Sequence, residues 1–580
     1  MNRLSRLSVL LLSFVAACAG PMATRTSVPV TVGIVAINDF HGSLEPPKQA
    51  VVVPDGKGGT NGVPAGGVAY LASAIDSIRA KYAHSMTVSA GDLISGSPLV
   101  SSLYLDEPSV EVMNRIGLDF NAVGNHEFDN GRDELLRKQS GGCVRHTARK
   151  PCQVEPFKGA NFRFLAANVL TESGKPLFVA SGIKSFGSGR DRVTVGVIGL
   201  TLRETPTLVA PDGIKGLRFV DEADTINAAI PALKSQGADA IVVLIHQGGK
   251  TRAGTDPQGC TDFAGDIEPI LARLDPRIDV VVSGHTHWAY VCDWGARDAA
   301  HPLLLTSAGV YGELVTDIRL EIDPVAHRVI AKQARNVIVQ SAPYESSRGP
   351  MTQRDDFPRF EPRADIAAYV ARYVDAAKQF AQRPAGRLAG PAARDIGDKL
   401  SGGSIGMLIA DAQLAATAGA GAQIALTNPF GVRAPGALNP RADGALTFGE
   451  LYAIQPFNNE LVTQSLTGAE LKAVLEQNFD EIGPQQVLIP SQGFTYRFDL
   501  AKPIGQRIVA LALNGVPIDP LASYRVTTGN FLAQGGDTYT GLTKGTDRVI
   551  GVSDIAALEA WLQAVPQRAV PLDARVTQVK

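Results

Sequence analysis

Apolar and polar residues alternate along the first 340 residues in two different patterns. Short runs rich in β-branched residues predict strands, at 30–37, 86–89, 120–123, 240–245 and 278–282. Between them, apolar residues recur at intervals of three or four in 68–82 and 224–236, which predicts amphipathic helices. Strands that alternate with helices are typical of a layered α/β domain.

The pattern changes after residue 340. A polar segment at 341–363 predicts a linker, and helical periodicity at 364–382 predicts one connecting helix. Residues 386–560 are rich in Ala, Gly and Leu and predict a second, smaller α/β domain. Its expected helices are 405–418 and 468–479, and its expected strands are 423–426, 494–500 and 524–528. We therefore divide the chain into a leader (1–20), a first domain (30–340), a linker and helix (341–385), a second domain (386–560) and a tail (561–580).

The first twenty residues predict an export signal. Arg3 and Arg6 precede an apolar run, 7–17, which is too short for a permanent bilayer span. The run leads into Ala16-Ala17-Cys18, which resembles the lipobox of bacterial lipoproteins. We expect a lipoprotein-type signal peptide, membrane attachment through lipidated Cys18, and a periplasmic or cell-envelope location. The alternative is ordinary secretory cleavage, with Cys18 lost or incidental.

Charge and cysteine content narrow the possible partners. The formal net charge of the 580 residues is -2, which gives no reason to expect binding to a nucleic-acid polymer, and no protein partner is implied. Four cysteines follow Cys18, and an even number in an exported protein predicts two disulfides with three possible pairings. Their spacing favours Cys143 with Cys152, leaving Cys260 with Cys292. Close CxxC pairs are absent from the sequence, so we expect no thiolate metal site.

Five polar clusters follow directly after predicted strands. They are 38–42 (Asn-Asp-Phe-His-Gly), 91–92 (Gly-Asp), 124–129 (Gly-Asn-His-Glu-Phe-Asp), 246–249 (His-Gln-Gly-Gly) and 283–287 (Ser-Gly-His-Thr-His). Sites in open α/β sheets form at the carboxyl ends of strands, so the five clusters can converge. Five of the nine histidines lie in them. Oxygen and imidazole donors favour hard or borderline divalent ions, and a carboxylate can bridge two of them.

These motifs, in this order, resemble the calcineurin-like metallophosphatase signature of bacterial 5′-nucleotidases and UDP-sugar hydrolases. The resemblance spans about residues 30–550. It implies a layered β-sandwich flanked by helices, followed by a 5′-nucleotidase C-terminal domain that binds the substrate. It also implies two divalent ions, Zn, Mn or similar, and attack of a metal-bound hydroxide on phosphorus.

The resemblance assigns roles to individual residues of the first domain. Asp39, His41 and His287 would bind one ion, Asn125, His246 and His285 the other, and Asp92 would bridge both. His126 would bind neither ion; it would form a catalytic dyad with Asp129, which orients the imidazole and raises its pKa.

In the second domain, 452–461 and 530–537 resemble nucleoside-binding motifs of the same family. The likeness implies that a base stacks between Phe457 and Phe531, that Asn459 binds the base edge, and that Asp537 binds the ribose hydroxyls. Arg433 is placed to hold a phosphate. The chain departs from the family at Asn428-Pro429-Phe430-Gly431, where relatives have a glycine run, which puts close approach of the backbone to substrate in question.

The sequence therefore predicts an exported 5′-nucleotidase acting on a small nucleotide. Alternatives with the same chemistry are a UDP-sugar hydrolase, a cyclic-nucleotide phosphodiesterase and a sulfur-ester hydrolase. An alternative of another class is a nucleoside-binding lipoprotein that has lost catalysis. Loss of catalysis should first erase metal ligands, and all seven expected ligands are present, which disfavours it.

Overall fold

The structure, a computed structural model, describes residues 28–579 except 148, 252–255, 347–348, 395–402, 434–435 and 480–485. The predicted signal peptide and Cys18 lie outside the described residues. None of the described helices combines the length and the apolar character needed to cross a membrane.

The first domain is built on two mixed six-stranded sheets. Across the first sheet, the strands are Arg328–Ile338, Leu314–Asp323, Val30–Ile37, Ser85–Ser89, Phe120–Ala122 and Arg163–Leu165. Across the second, they are Ala289–Asp293, Leu304–Ala308, Val280–Ser283, Ala240–His246, Val193–Thr201 and Ser181–Phe186. The central strands of each sheet run parallel, so their carboxyl ends lie at one edge.

The two sheets pack face to face over a shared apolar core. Along Val30–Ile37, Val32, Ile34 and Ala36 enter this core, while Val35 and Ile37 face the helices on the other side. Such strands read as unbroken apolar runs because both of their faces are covered. The pattern that predicted strands in the sequence is therefore the signature of sheets inside a four-layer domain.

Helices cover the outer faces of both sheets. Against the first sheet lie Val68–Arg79, Leu99–Ser102, Glu107–Ile116, Arg132–Ser140 and Ala364–Gln382. Against the second lie Glu222–Ser235 and Glu268–Leu271. The layers thus run helix, sheet, sheet, helix, which confirms the predicted fold class.

The long helix Ala364–Gln382 has the bounds that the sequence predicted. Its buried residues, Ile366, Tyr369, Val370, Tyr373 and Ala377, belong to the core of the first domain. The connecting helix is therefore part of the first domain's surface layer, and the chain enters the second domain at its carboxyl end.

The second domain combines a five-stranded and a four-stranded sheet with helices, as predicted. The strands of the larger sheet are Ile489–Pro490, Ile424–Thr427, Ser523–Gly529, Glu460–Thr467 and Thr546–Ser553. Those of the smaller are Val516–Pro517, Ile508–Leu513, Phe494–Phe498 and Val576–Gln578. Its helices are Gly403–Ala416, Phe448–Ile454, Gly468–Glu476, Asn530–Ala533 and Asp554–Gln563.

Short strand pairs and two disulfides complete the described fold. The pairs are Ala50–Pro54 with Thr60–Pro64, Val169–Leu170 with Arg218–Phe219, Tyr344–Ser346 with Gly349–Met351, Pro384–Arg387 with Ala445–Thr447, and Ala392–Ala393 with Ala437–Leu438. Cys143 is bonded to Cys152 and Cys260 to Cys292, the pairing that the spacing favoured.

Candidate dinuclear metal centre and domain interface

The backbone is unusual at five of the expected metal ligands. Left-handed φ angles occur at Asp39 (48°), His41 (46°), Asp92 (47°), His285 (71°) and His287 (58°). This region is sparsely populated by residues other than glycine, and strain of this kind concentrates at functional sites. Backbone bonds hold the turns together: the amide of Asp39 donates to the carbonyl of Gly91, and that of His41 to the carbonyl of Asp92.

Asp39, His41 and His287 form the first group of potential ligands. One donor atom from each lies within 4.8 Å of the others. The Nε2 atoms of His41 and His287 are 3.1 Å apart, and Nε2 of His287 is 3.5 Å from Oδ1 of Asp39. Nδ1 of His41 donates to the carbonyl of Ser95 at 2.9 Å, which leaves its Nε2 as a lone-pair donor. The geometry fits a cation held between these atoms.

Asp92, His246 and His285 form the second group, again with donor atoms within 4.8 Å of one another. Oδ1 of Asn125 lies 3.1 Å from Nδ1 of His285. The buried Nε2 of His246 lies 3.0 Å from Oδ2 of Asp92 but lacks the alignment of a hydrogen bond. The same Oδ2 is 3.7 Å from Nε2 of His41 in the first group. One carboxylate oxygen therefore faces both groups.

The electrostatics of the two groups suit a divalent ion. Burial lowers the pKa of His41 and of His285 to about 3, so both imidazoles are neutral, as metal ligation requires. Burial opposes ionisation of Asp92, but His246 and the neighbouring imidazoles hold its pKa well below the ordinary range. Burial likewise opposes protonation of His246, yet Asp92 and Asp39 raise its pKa to about 10. A proton and a divalent ion therefore compete for the same nitrogen.

Two further residues of the motifs orient the ligands. Nδ2 of Asn38 donates to Oδ2 of Asp39 at 2.7 Å, and Oδ1 of Asn38 accepts from the amide of Ala308. Glu127 is 1% exposed, and its carboxylate accepts from the amides of Asp92 and Gly124. Glu127 is therefore an interior orienting group and not a surface carboxylate. The sequence places Glu127 within the motif 124–129 but does not distinguish an orienting carboxylate from a surface one.

His126 and Asp129 meet as the sequence predicted. They lie one helical turn apart at His126–Phe128, and Nδ1 of His126 donates to Oδ2 of Asp129 at 2.7 Å. The backbone amide of His126 donates to Oδ1 of Asp92, which ties the pair to the metal groups. Burial alone would lower the pKa of His126, but Asp129 and Asp92 outweigh it and leave that pKa above its ordinary value.

Two residues of the second domain reach this centre. Nη2 of Arg433 donates to Nε2 of His126 at 2.8 Å. The ring of Phe457 stacks on that of His126, with centroids 5.7 Å apart and planes 12° apart, and the Arg433 guanidinium lies 5.0 Å from the Phe457 centroid. The structure thus brings Arg433 and Phe457 together with the dyad across the domain boundary.

The other expected substrate residues lie deeper in the second domain. Asn459 and Phe531 line a small cavity with Asn428 and Asp554, whereas Phe457 lines a different one. Asp537 accepts from Asn428 at 2.7 Å and from Gln486, and burial raises its pKa. These side chains are therefore not gathered around one point with Phe457. Phe430, in the segment that departs from the family pattern, is 46% exposed and does not line this cavity, whereas Asn428 and Gly431 of the same segment do.

A cavity of about 120 Å³ separates the domains beside the dyad. Its wall combines residues of the first domain with the loop that carries Phe457, and it includes Ser97, Asp129, Asn130 and Arg149. Polar groups of both domains thus face one space next to His126.

Residues 33–289 match the model of the calcineurin-like phosphoesterases, and residues 384–544 match that of the 5′-nucleotidase C-terminal domain. The chain belongs to the 5′-nucleotidase family of calcineurin-like phosphoesterases. The two divalent ions that the family uses correspond to the two candidate groups.

One solved structure and two bacterial proteins illustrate what the chain is similar to. The crystal structure of a 5′-nucleotidase precursor from Thermus thermophilus is 26% identical, with a TM-score of 0.72 over 95% of this chain and 99% of that one. Endonuclease YhcR of Bacillus subtilis is 31% identical over 92% of this chain. Cell wall protein Lmo0130 of Listeria monocytogenes is 27% identical over 90% of it. The chain spans only 40% and 66%, respectively, of those two relatives.

Proposed function

We propose that this protein is an exported 5′-nucleotidase that releases phosphate from small nucleotides. One observation carries the proposal: Arg433 of the nucleotidase C-terminal domain lies 2.8 Å from His126, next to the metal groups. A cation and an aromatic ring from the second domain therefore stand where a phosphoester joined to a base would lie. A metallophosphatase domain alone would offer the metals but not this second set of contacts.

For the metals, we propose Asp39, His41 and His287 for one ion and Asn125, His246 and His285 for the other. Asp92 is the proposed bridge, since its Oδ2 faces both groups. Two bound divalent ions supply charge neutralisation of the phosphoryl group and a water of lowered pKa. Asn38 and Glu127 hold Asp39 and the Asp92 loop in place.

For the reaction, His126 and Arg433 are the proposed groups that meet the phosphate charge. Asp129 fixes Nδ1 of His126, so Nε2 is the atom that faces the substrate. Arg433 donates toward the same point, and a phosphate oxygen between them would accept from both groups. Such donors favour the transition state because charge on the phosphoryl oxygens is stabilised by preorganised partners.

For the nucleoside, we propose that Phe457 and Phe531 stack on the base, that Asn459 binds its edge, and that Asp537 binds the ribose. Phe457 now lies on His126, so this clamp requires the Phe457 ring to turn away from His126 when a nucleotide enters, while its loop stays in place. The proposed division of labour gives the metals to the first domain, 30–340, and the nucleoside to the second, 386–560.

We further propose that the protein acts in the periplasm or cell envelope, attached through lipidated Cys18. Two disulfides support an oxidising compartment, and the Listeria relative is described as a cell wall protein. Mass spectrometry of the mature N-terminus tests the anchor, because cleavage beyond residue 20 without a lipid would exclude it.

A second candidate function is hydrolysis of phosphodiesters. It is favoured by the likeness to a Bacillus relative named as an endonuclease, which matches 92% of this chain. The same metals and dyad would serve, because only the second substituent on phosphorus differs.

The test is a substrate panel with defined metal content. We expect chelator-treated protein to be inactive, and zinc or manganese to restore hydrolysis of AMP above that of cyclic AMP, a UDP-sugar and bis(p-nitrophenyl) phosphate. Preference for the diester would replace the first proposal with the second. His126→Ala is the matched variant: it should keep both metals but lose about a hundredfold or more in kcat. Little change in its turnover would refute the dyad.

A further inference from the structure

The loop between Cys143 and Cys152 projects from the first domain toward the second. Its ends are joined by the disulfide, and the amide of Cys152 donates to both carboxylate oxygens of Glu107 at 3.1 Å. Glu107 is buried and paired with Arg137 at 2.8 Å. The base of the loop is therefore covalently closed and fixed to the helix layer of the first domain.

Arg149, near the end of this loop, bridges the two domains. Its Nη1 donates to the carbonyl of Ser102 in the first domain at 2.6 Å. Its Nη2 donates to the hydroxyl of Tyr452 in the second domain at 2.7 Å, and its guanidinium lies 5.7 Å from the Tyr452 ring centroid. The planar fork of a guanidinium can bind two acceptors at fixed angles, which a lysine ammonium does less well.

Tyr452 carries the contact on to the active-site loop. It is 2% exposed, lies on the helix Phe448–Ile454, and its hydroxyl donates to the carbonyl of Pro456 at 2.8 Å. Phe457 follows directly and stacks on His126. Hydrogen bonds thus run from the disulfide loop through Arg149 and Tyr452 to Pro456, the residue that precedes the ring beside the dyad.

We propose that Arg149 is a positioning residue, which holds the Phe457 loop of the second domain against the metal-binding domain. It acts through Tyr452 and the Pro456 carbonyl and does not touch the reacting atoms. The kinetic part of the inference rests on the proposed nucleotidase function; the structural part does not. Because the Phe457 loop is already ordered, less conformational entropy is lost when the substrate binds to it.

Release of the Phe457 loop should affect nucleotides and simple aryl phosphates differently. A nucleotide needs Phe457 for its base, whereas p-nitrophenyl phosphate needs chiefly the metals and the dyad. Release of the Phe457 loop should therefore raise KM for AMP and leave kcat for the aryl phosphate little changed.

Four variants form the test. Arg149→Met removes both donors at similar volume, Tyr452→Phe removes the hydroxyl, and Arg149→Lys retains the charge without the fork. Lys150→Met, at the exposed neighbouring position, removes the same charge from the same loop and serves as the control. We expect Arg149→Met and Tyr452→Phe each to lower kcat/KM for AMP about tenfold, the double variant to add little, and Arg149→Lys to recover part of the loss.

Hydrogen exchange of the peptide covering 453–459 supplies a readout that needs no substrate. Exchange should quicken in Arg149→Met and Tyr452→Phe but not in Lys150→Met. Unchanged exchange in Arg149→Met, or equal losses with AMP and the aryl phosphate, would overturn the inference. If exchange quickens as expected while the wild-type protein does not hydrolyse AMP, the positioning role stands and the nucleotidase proposal alone fails.

Discussion

The candidate metal ligands are held by contacts inside the first domain, whereas Arg433 and Phe457 reach the site only across the domain boundary. Asp39 is fixed by Asn38 and by the amide of His285, all within that domain. Arg433, in contrast, has His126 of the other domain as its partner. In the proposed function, the hydrolytic chemistry is thus preorganised by one fold, and selection among phosphoesters depends on how the two folds meet.

The largest loss of activity is expected from removal of the proposed metal bridge. Asp92→Asn keeps the size of the side chain but removes the charge that faces both metal groups. We expect kcat/KM to fall by about a thousandfold or more for AMP and aryl phosphate alike, because bound metals serve both substrates. Metal analysis should show lowered occupancy, as chelation does in the wild type. Full occupancy with retained turnover would remove Asp92 from the centre.

A smaller effect, confined to one substrate class, is expected from the second domain. Phe457→Ala should raise KM for AMP about tenfold, since stacking on a base contributes roughly 1–3 kcal/mol. KM for p-nitrophenyl phosphate should change less than about threefold on the same reasoning. Phe430→Ala, which removes a half-exposed ring of the same domain, is the matched control. Equal changes with both substrates would mean that Phe457 serves the dyad and not the base.

The smallest effect concerns stability and pH. Burial raises the pKa of Asp554 to about 7, although the hydrogen bonds that its carboxylate accepts from Ile555 and Asn459 act to lower that pKa. The folded state therefore holds this proton more tightly than the unfolded state. Its stabilising contribution is complete below pH 3.8, falls as the pH rises toward 7, and changes no further above that.

Asp554→Asn should remove this dependence, after a flip of the Asn459 amide that restores their hydrogen bond. Urea unfolding at pH 5, 7 and 8 should show a variant whose advantage over wild type grows up to pH 7 and then levels off. Each tenfold change in proton affinity corresponds to about 1.4 kcal/mol. A difference that stays constant across this range would show that Asp554 is ionised in the folded protein at every pH tested. The active-site kinetics with aryl phosphate should not change.

Features that depend on local contacts within one domain could be predicted from the sequence, whereas contacts across the domain boundary could not. Strand-end motifs such as 38–42 could be interpreted because each ligand lies next to the strand that positions it, so local sequence carries the geometry. Both disulfides and the connecting helix were predictable for similar local reasons. Helix ends were predicted less accurately: the helix expected at 68–82 ends at Arg79, where the chain turns toward the next strand.

The contacts that the sequence did not reveal join distant segments. Glu127 stands between two recognised motif residues, yet what distinguishes it from a surface carboxylate is four converging donors, three backbone amides and the side-chain amide of Asn121. The stacking of Phe457 on His126 and the bond from Arg149 to Tyr452 each link residues about 300 positions apart. No periodicity or motif encodes such pairs, because they arise only when the two domains pack together.

The left-handed turns at Asp39, His41, Asp92, His285 and His287 have a consequence for how such a protein evolves. A glycine at any of them would relieve backbone strain of about 1 kcal/mol or more while deleting a donor atom. Mutational drift toward greater thermostability and selection for turnover therefore act in opposite directions at these five positions. A descendant freed from catalysis would be expected to gain robustness there first, and a glycine in these turns would be an early mark of a lineage that has abandoned hydrolysis.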